Sequence, residues 1–300
     1  MSNLTPEGGE IGPVRSGWRL GLREFMHNRL AVVGLVTLVF FVAFCFLGPF
    51  FYHSDITTAN LTGTNAGPGA GHPLGTDDEG FDVLGELMKG GQASLEIGFL
   101  SAIFAIAIGA AWGAVSGLAG GLLDSAMMRV VDVLLSIPFL FIVLIVSLRY
   151  GASILSLSLI LGMFTWLVPA RLVRGEVLSL KTRDFVLAAR SAGSSQWRLI
   201  NRHLLPNALS VIIVNVTFNI ADAILAVSYL GFLGFGLHYP NLDWGDMISD
   251  GINYLLDGYW WLIYPVGFCI VATVMACNFV GDALRDALDV RLRRRLTRRC

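Results

Sequence analysis

The chain has 300 residues, of which 55% are hydrophobic and 14% are charged, and its formal net charge is −1. An average soluble domain carries about 25% charged residues, so this composition excludes an ordinary soluble protein. The apolar residues fall instead in blocks of about 20, the length that an α-helix needs to cross about 30 Å of hydrocarbon. We therefore expect an integral membrane protein whose partners include the lipid bilayer and no nucleic acid.

Six such blocks predict an all-α integral membrane fold with six transmembrane helices, because the backbone groups of a span must be paired within the segment. Any single block, above all the weaker third and fourth, is also compatible with a buried core helix, but six together are not. The blocks are residues 30–51, 95–118, 130–148, 154–172, 207–228 and 261–283.

Basic residues predict the orientation of these helices. Nineteen of the 21 Lys and Arg residues lie on one side of the predicted membrane, and only Lys89 and Arg149 lie on the other. By the positive-inside rule the basic side is cytoplasmic, which places both termini inside. The polar start of the chain is not a cleavable signal peptide, so the first block stays as an anchor.

The same reasoning divides the chain into consecutive regions. A cytoplasmic leader and a first transmembrane helix precede a long external loop, a five-helix transmembrane core follows, and a basic cytoplasmic tail ends the chain. Their predicted boundaries are 1–29, 30–51, 52–94, 95–283 (with a charged loop at 181–206) and 284–300.

The second block carries small residues at intervals of four. On a helix they share one face and permit close approach of another helix. The stripe consists of Ala105, Gly109, Gly113, Gly117 and Gly121. In the third block, Pro138 predicts a kink because it removes one backbone donor and clashes with the preceding turn. The kink is compatible with gating and equally with static packing.

The 181–206 segment is the most informative part of the chain. It holds five Lys or Arg residues before His203, although it lies between two long apolar blocks. Thr182 is expected to cap a first short helix with an apolar face that includes Phe185, and Gly193 to end it in the left-handed region. Ser194 or Ser195 is expected to cap a second short helix. An ordinary interfacial helix is the alternative, but the paired caps favour a docking element.

Polar residues inside the fifth block suggest a lining for a path through the membrane. Asp222 is costly at mid-membrane unless it faces the interior or water, and Asn215 and Asn219 share its span. An interhelical hydrogen bond or a subunit contact is an equal alternative for Asp222. Asp132 is expected to pair locally with Arg129.

The sequence shows no catalytic set and no metal site. It lacks the phosphate-cradling GxxxxGK[ST] pattern and the HExxH zinc pattern. His53 and His72 are far apart in the first outer loop, and none of the four cysteines has CxxC spacing. The chain is therefore not expected to hydrolyse ATP, to bind a cofactor or to hold a metal.

The 181–206 segment resembles the EAA loop of ABC-importer permeases. The match rests on Ala188 and Ala189, on Gly193 four residues later, and on Leu205 with Pro206. The family's glutamate position is Leu187 here, a substitution found in the dipeptide/oligopeptide branch, and His203 replaces a usual isoleucine. In that family the loop seats in a cleft of the cytoplasmic ATPase subunit. The resemblance therefore implies that Leu187 and the five matched residues couple the chain to an ATPase.

Further segments are similar to the DppC/OppC-type subunit of that branch, and the resemblance covers residues 16–292. Departures occur at Phe81 and Gln92, where arginines are usual, and at Val227, where an acid is often found. The similar segments are FMHNRLAVVG at 25–34, HPLGTD at 72–77, DVL at 82–84, GQASL at 91–95, LGFLGFG at 230–236, WG at 244–245 and GDALRD at 281–286, with Asp289.

The resemblance implies a type I ABC-importer permease fold in a bacterial cytoplasmic (inner) membrane. It further implies a second homologous permease as heterodimer partner, two ABC ATPase subunits that bind ATP and Mg, and an external substrate-binding protein. Alternating access would then carry di- or oligopeptides. Nickel or another small solute such as glutathione remains an alternative cargo, and an ion-driven carrier, a channel or a membrane scaffold fits less well.

Overall fold

The computed structural model of the chain describes residues 25–54, 63–237 and 240–297, and the side chains up to residue 288. Within these ranges the chain is helical and forms no strand. Residues 1–24 of the predicted leader and residues 298–300 of the predicted tail lie outside them. The helices are α1 (Arg29–Phe51), α2 (Val83–Ala119), α3 (Gly121–Ser136), α4 (Phe139–Tyr150), α5 (Ile154–Thr165), α6 (Leu167–Leu180), α7 (Asp184–Ser191), α8 (Gln196–Phe232), α9 (Trp244–Gly251) and α10 (Tyr264–Thr297).

Four segments of the described chain are each long and apolar enough to cross a membrane. They are α1, α2, α8 and residues Trp260–Leu288, which include the first part of α10. Two bent pairs also pass as single spans: α3 with α4, and α5 with α6. All six predicted apolar blocks thus fall in helices, and the described chain offers four to six candidate spans.

The third predicted block is broken and not merely kinked. Helices α3 and α4 meet at an angle of 82°. Ile137 has an extended backbone (φ −86°, ψ 131°) and Pro138 caps α4, because a proline disfavours the α conformation in the residue before it. The prediction of a kink at Pro138 is confirmed, with a larger angle than an ordinary proline kink requires.

The fourth predicted block bends by 46° between α5 and α6, which the sequence analysis did not foresee. Pro169 lies in the first turn of α6 and cannot donate to the carbonyl of Thr165 four residues earlier. The two breaks lie side by side, because the rings of Phe139 and Phe164 are 6.3 Å apart.

Helix α2 is the centre of the bundle and packs against α1, α5, α6 and α8. Its small residues permit this closeness: a Cβ added at Gly109 would lie 2.7 Å from Pro169 of α6, and one at Gly117 would lie 2.9 Å from Val177. Gly113 faces the same helix at Ala170. The inclusion of Gly121 in the predicted stripe was wrong, because α2 ends at Ala119 and the chain turns there.

Helix α8 is continuous, whereas the sequence predicts two separate helices in this region. The predicted second short helix and the fifth span form one helix, Gln196–Phe232. A wider, π-helical turn at Ile200–Leu204 absorbs the proline, since the N–H of Leu205 donates to the carbonyl of Ile200 five residues back. Leu205 and Pro206 therefore do not interrupt the helix, and Pro206 lies at the start of the α-helical part of this span.

Candidate functional site

Helix α7 and the first turns of α8 form the 181–206 segment. Gly193 has φ +77° and follows the end of α7, in agreement with the predicted left-handed stop. Ser195 caps α8 by accepting a 3.4 Å hydrogen bond from the N–H of Arg198. The predicted cap at Thr182 was wrong: Arg183 occupies the cap position of α7, and the Thr182 hydroxyl donates to the carbonyl of Ser179.

The inner face of this segment anchors it to the bundle. Val186 of α7 is fully buried, as are Leu199 and Leu204 of α8. They pack in one cluster with Val177 and Leu180 at the end of α6. The segment is therefore fixed to α6 by apolar contacts, and a force on α7 acts directly on the bundle.

The outer face of the segment is apolar and exposed. Leu187 is 47% exposed and Trp197 is 69% exposed. Ala188 beside them is exposed as well. Four exposed arginines lie in the same segment, at positions 183, 190, 198 and 202. An exposed apolar patch with a polar rim is typical of a protein–protein interface.

The segment brings its predicted coupling residues to one end of the bundle, here called the α7 end. Helix α7 lies against the start of α8, where the rings of Phe185 and His203 are 6.5 Å apart. Ala189 and Leu205 are half-buried beneath this contact, whereas Gly193 and Pro206 are exposed. Ala189 and Leu205 border the buried cluster at the α7 end, so they belong to the anchor and not to the exposed patch.

Polar contacts at the α7 end connect α6 to α3 and the segment to α2, and the sequence alone does not indicate them. Arg174 of α6 forms a bidentate pair with Asp124 of α3, at 2.6 and 2.7 Å. Asp124 also accepts a hydrogen bond from the Ser116 hydroxyl of α2. Lys181 donates to the carbonyl of Gly117 at 2.9 Å. No fixed spacing relates these residues, so only the fold brings them together.

A second pair repeats the connection between α3 and α6. Asp132 pairs with Arg171, so the prediction that Asp132 pairs with Arg129 was wrong. Arg171 is on the partner helix, and both side chains are about half exposed. Helices α3 and α6 are thus joined twice, once by a mostly buried pair and once by an exposed one.

A cavity of about 770 Å³ opens beside α8 and reaches from its first turns to beyond its middle. The predicted path residues Asn215, Asn219 and Asp222 all line it. The facing wall is formed mainly by apolar side chains of α3 to α6, including Leu134, Phe139 and Phe164. Most of the polar side chains that line the cavity therefore come from α8, where they alternate with apolar ones such as Val214 and Phe218.

The opposite end of the bundle, here called the α9 end, contains a buried carboxylate that caps a helix. Asp243 is fully buried and caps α9. It accepts hydrogen bonds from the N–H groups of Leu237 (3.1 Å), Gly245 (2.8 Å) and Asp246 (3.2 Å). Glycine is required around it: a Cβ at Gly231 would lie closer than 3.0 Å to this carboxylate. The LGFLGFG stretch thus wraps the cap of α9.

Trp244 completes this closed structure, here called the α9 lock (residues 228–237 and 243–246). Its side chain is fully buried, and its indole N–H donates to the carbonyl of Leu87 in α2 at 3.0 Å. Its backbone N–H donates to the Ser94 hydroxyl at 3.1 Å. The lock therefore ties α9 to the first turns of α2.

A small acidic pocket lies beside the lock. Burial, together with the charges of Asp243 and Asp250, raises the pKa of Asp246 to about 8. Burial likewise raises the pKa of Asp77 to about 6. The pocket is lined by six acidic residues, Asp77, Asp78, Glu79, Glu86, Asp246 and Asp250.

Of the two histidines of the first outer loop, His72 belongs to a hydrogen-bonded group. His72 contacts the carboxylate of Asp82 at 3.0 Å, and the Tyr52 hydroxyl donates to the same carboxylate oxygen at 3.2 Å. Within the described part of the chain, no group of three or more His, Cys, Asp and Glu side chains is placed to hold a metal.

Comparisons with known proteins agree with this arrangement. Residues 105–294 match the family described as binding-protein-dependent transport system inner membrane component. Residues 16–68 match the N-terminal transmembrane domain of oligopeptide transport permease C. The solved structure of the MetNI methionine ABC transporter in inward-facing conformations has a chain that matches with a TM-score of 0.53. The match covers 67% of this chain and 96% of that one at 23% identity, which supports a shared fold.

Two curated relatives extend the match over most of the chain. The dipeptide transport system permease protein DppC of Bacillus subtilis is 38% identical over 91% of this chain and 85% of the relative. The oligopeptide transport system permease protein OppC of Escherichia coli (strain K12) is 40% identical over 92% of this chain and 91% of the relative.

Proposed function

Because the chain belongs to the family of binding-protein-dependent transport system inner membrane components, we propose that it forms half of the translocation path of an ATP-driven peptide importer. It is a non-catalytic subunit of the inner membrane, and separate ATPases hydrolyse ATP for it. The relatives named for dipeptide and oligopeptide transport support a di- or oligopeptide cargo. The observation that carries the proposal is the apolar patch of α7 and the start of α8, which stays exposed in the part of the chain that the structure describes.

The proposed topology has six spans and two cytoplasmic termini. Each bent pair then counts as one span, and the α7 end lies in the cytoplasm. The distribution of 19 basic residues on that side supports this orientation. We propose the region boundaries expected from the sequence with three changes: α2 begins at Val83, inside the expected external loop, the charged loop continues into α8, and α10 extends to Thr297, inside the expected tail.

The patch on α7 is proposed to seat in a cleft of a cytoplasmic ATPase subunit. Leu187, Ala188 and Trp197 supply apolar contact area, and the exposed arginines of the segment suit an acidic rim on the partner. Two ATPase subunits, which hold ATP and Mg, a second homologous permease and an external binding protein complete the proposed complex. The second permease would close the open side of the 770 Å³ cavity.

Alternating access follows from how the segment is anchored. ATP-driven closure of the ATPases displaces α7, and the buried contact of Val186 with Val177 and Leu180 passes the displacement to α6. The Arg174–Asp124 pair passes it on to α3. Such a transition needs elements that move as rigid units. Helices α3 and α6 form one rigid unit, because two ion pairs join them.

The decisive experiment replaces Leu187 by Asp in the complete complex in proteoliposomes. We expect peptide uptake and transport-stimulated ATP hydrolysis to fall at least about tenfold, because a charge would be desolvated in the apolar contact. Thr182→Asp is the matched control, since it adds the same charge at an exposed position before α7. Normal uptake by the Leu187→Asp complex would reject this coupling role.

A further inference from the structure

Most of the polar side chains of the cavity form a stripe along α8. It consists of five residues that line the cavity: Asn207, Ser210, Asn215, Asn219 and Asp222. The stripe runs over the 16 residues 207–222, and the 15 steps between its ends span about 22 Å at 1.5 Å per residue. A ligand in the cavity therefore meets several polar groups in a row and not a single polar contact.

Hydrogen-bond accounting gives this stripe a definite character. The side-chain NH₂ groups of Asn207, Asn215 and Asn219 each donate to the carbonyl four residues earlier on α8, at 2.6, 2.8 and 2.9 Å. An asparagine side chain has an acceptor oxygen besides these donors. Because one of the two N–H donors of each side chain is already used on the helix, each asparagine keeps its whole acceptor oxygen and a single N–H for other partners.

Asp222 strengthens this character. It lines the cavity at the end of the stripe that is farthest from α7 along the helix. No side chain in residues 25–54, 63–237 and 240–288 forms an ion pair or hydrogen bond with it. The one cation in the cavity wall is Arg285 of α10, and it is accompanied there by Glu176 of α6.

We propose that Asp222 binds the protonated amino group of the transported peptide, with the amide oxygens of Asn219 and Asn215 accepting from N–H groups of its backbone. The facing apolar wall, including Phe139 and Phe164, then receives the peptide side chains. A charge-assisted hydrogen bond between ammonium and carboxylate is about twice as strong as a neutral one. This inference rests on the proposed function, and it adds an orientation and a charge preference inside the membrane.

The test measures binding to the complete membrane complex in nanodiscs without the external binding protein. That protein is omitted so that its own selectivity does not enter. The tripeptide Ala-Phe-Ala and its N-acetylated form compete with a C-terminally labelled fluorescent tripeptide. We expect the free peptide to bind at least about tenfold more tightly than the acetylated one to the unaltered complex.

The Asp222→Asn substitution should remove this preference, because it weakens the binding of the free peptide and not that of the acetylated one. The Asp222→Glu substitution should retain the preference. Asp132→Asn is the matched control, because it removes an acid that is about half exposed, lies outside the cavity and pairs with Arg171. The free and acetylated peptides should keep their difference in this control.

Three outcomes would overturn the inference, and they differ in what else they reject. If the unaltered complex bound neither peptide, the proposed peptide path would fall with it. If both bound and Asp222→Asn left their ratio unchanged, the amino-group site alone would be wrong. If Asp222→Asn and Asp222→Glu both prevented assembly with the second permease, as judged by size-exclusion chromatography, Asp222 would be a subunit contact instead.

Discussion

The α9 lock and the 181–206 segment both carry short signature motifs, but their residues are constrained in opposite ways. In the lock, Trp244 is fully buried, and a Cβ at Gly245 would lie closer than 3.0 Å to the backbone of Ser228. In the segment, Trp197 is 69% exposed, and a Cβ at Gly193 would meet no atom within 4 Å. A motif can thus record packing inside a chain or contact with another chain.

The difference has an experimental meaning. Substitutions in the lock should change the stability of the chain itself, because the contacts they break are internal. Substitutions on the outer face of the segment should leave stability unchanged and alter only what happens in the complex. Four predictions test this separation, from the largest expected effect to the smallest.

Gly245→Ala should have the largest effect. The new methyl group would collide with the backbone of Ser228, which cannot move without shifting α8, so we expect a loss of at least about 3 kcal/mol of stability. Fluorescence-detected size-exclusion chromatography with a thermal ramp measures it. Gly267→Ala is the control, since no atom lies within 4 Å of the added carbon. Equal stability of the two variants would contradict the packing described for the lock.

Asp243→Ala should cause the next largest loss of stability. It leaves the N–H groups of Leu237, Gly245 and Asp246 without their acceptor. An unsatisfied buried donor costs about 1–3 kcal/mol, so we expect a loss of about 2–3 kcal/mol in the same assay. The exposed Asp257→Ala should leave the melting temperature unchanged. A stable Asp243→Ala protein would show that the cap of α9 is dispensable.

Gly193→Asp should leave the chain stable and lower transport. The position has room for a side chain, and Asp tolerates the left-handed conformation better than most residues. We expect uptake and ATPase stimulation to fall about tenfold, equivalent to about 1.4 kcal/mol of coupling. Gly151→Asp is matched, because Gly151 also has φ +77° and open space but lies between α4 and α5. An equal loss in both variants would mean that the charge disturbs the protein in general.

The smallest expected effect concerns pH at the α9 end. The pKa of Asp246 is raised to about 8, so the folded chain holds a proton that the unfolded chain releases near its ordinary value. Stability is therefore fully present below about pH 4 and is lost as pH rises through about 8. We expect the melting temperature to fall by about 2–4 °C between pH 5 and pH 8, and Asp246→Asn to flatten this slope. A melting temperature that rises with pH would contradict the buried, protonated carboxyl.

Local signals in the sequence predicted the parts of the fold that depend on neighbouring residues. The left-handed turn at Gly193 and the break at Pro138 follow from the backbone chemistry of single residues, and each apolar block became helix. Pro169 indicates the bend before α6 in the same way, because a proline lacks the backbone N–H that a continuous helix would use. The continuity of α8 was missed because Pro206 usually starts a helix, whereas here a wider turn absorbs it.

Contacts between distant segments could not be predicted in the same way. The Asp124–Arg174 pair joins residues 50 positions apart, and nothing in either neighbourhood specifies the other. The partner of Asp132 was misjudged for the same reason, since the nearest arginine in sequence is not the nearest in space. For the cavity, the sequence identified polar side chains on one helix, whereas the facing apolar wall is assembled from four.

The break between α3 and α4 also bears on how the chain enters the membrane during synthesis. Helix α3 has 16 residues and α4 has 12, so at 1.5 Å per residue they are about 24 and 18 Å long. Neither reaches across about 30 Å of hydrocarbon by itself, whereas the 23 residues of α1 do. In the proposed six-span topology neither half would cross alone, so the insertion machinery would have to hold the nascent chain after Ser136 until Tyr150 has been made and release both halves as one crossing.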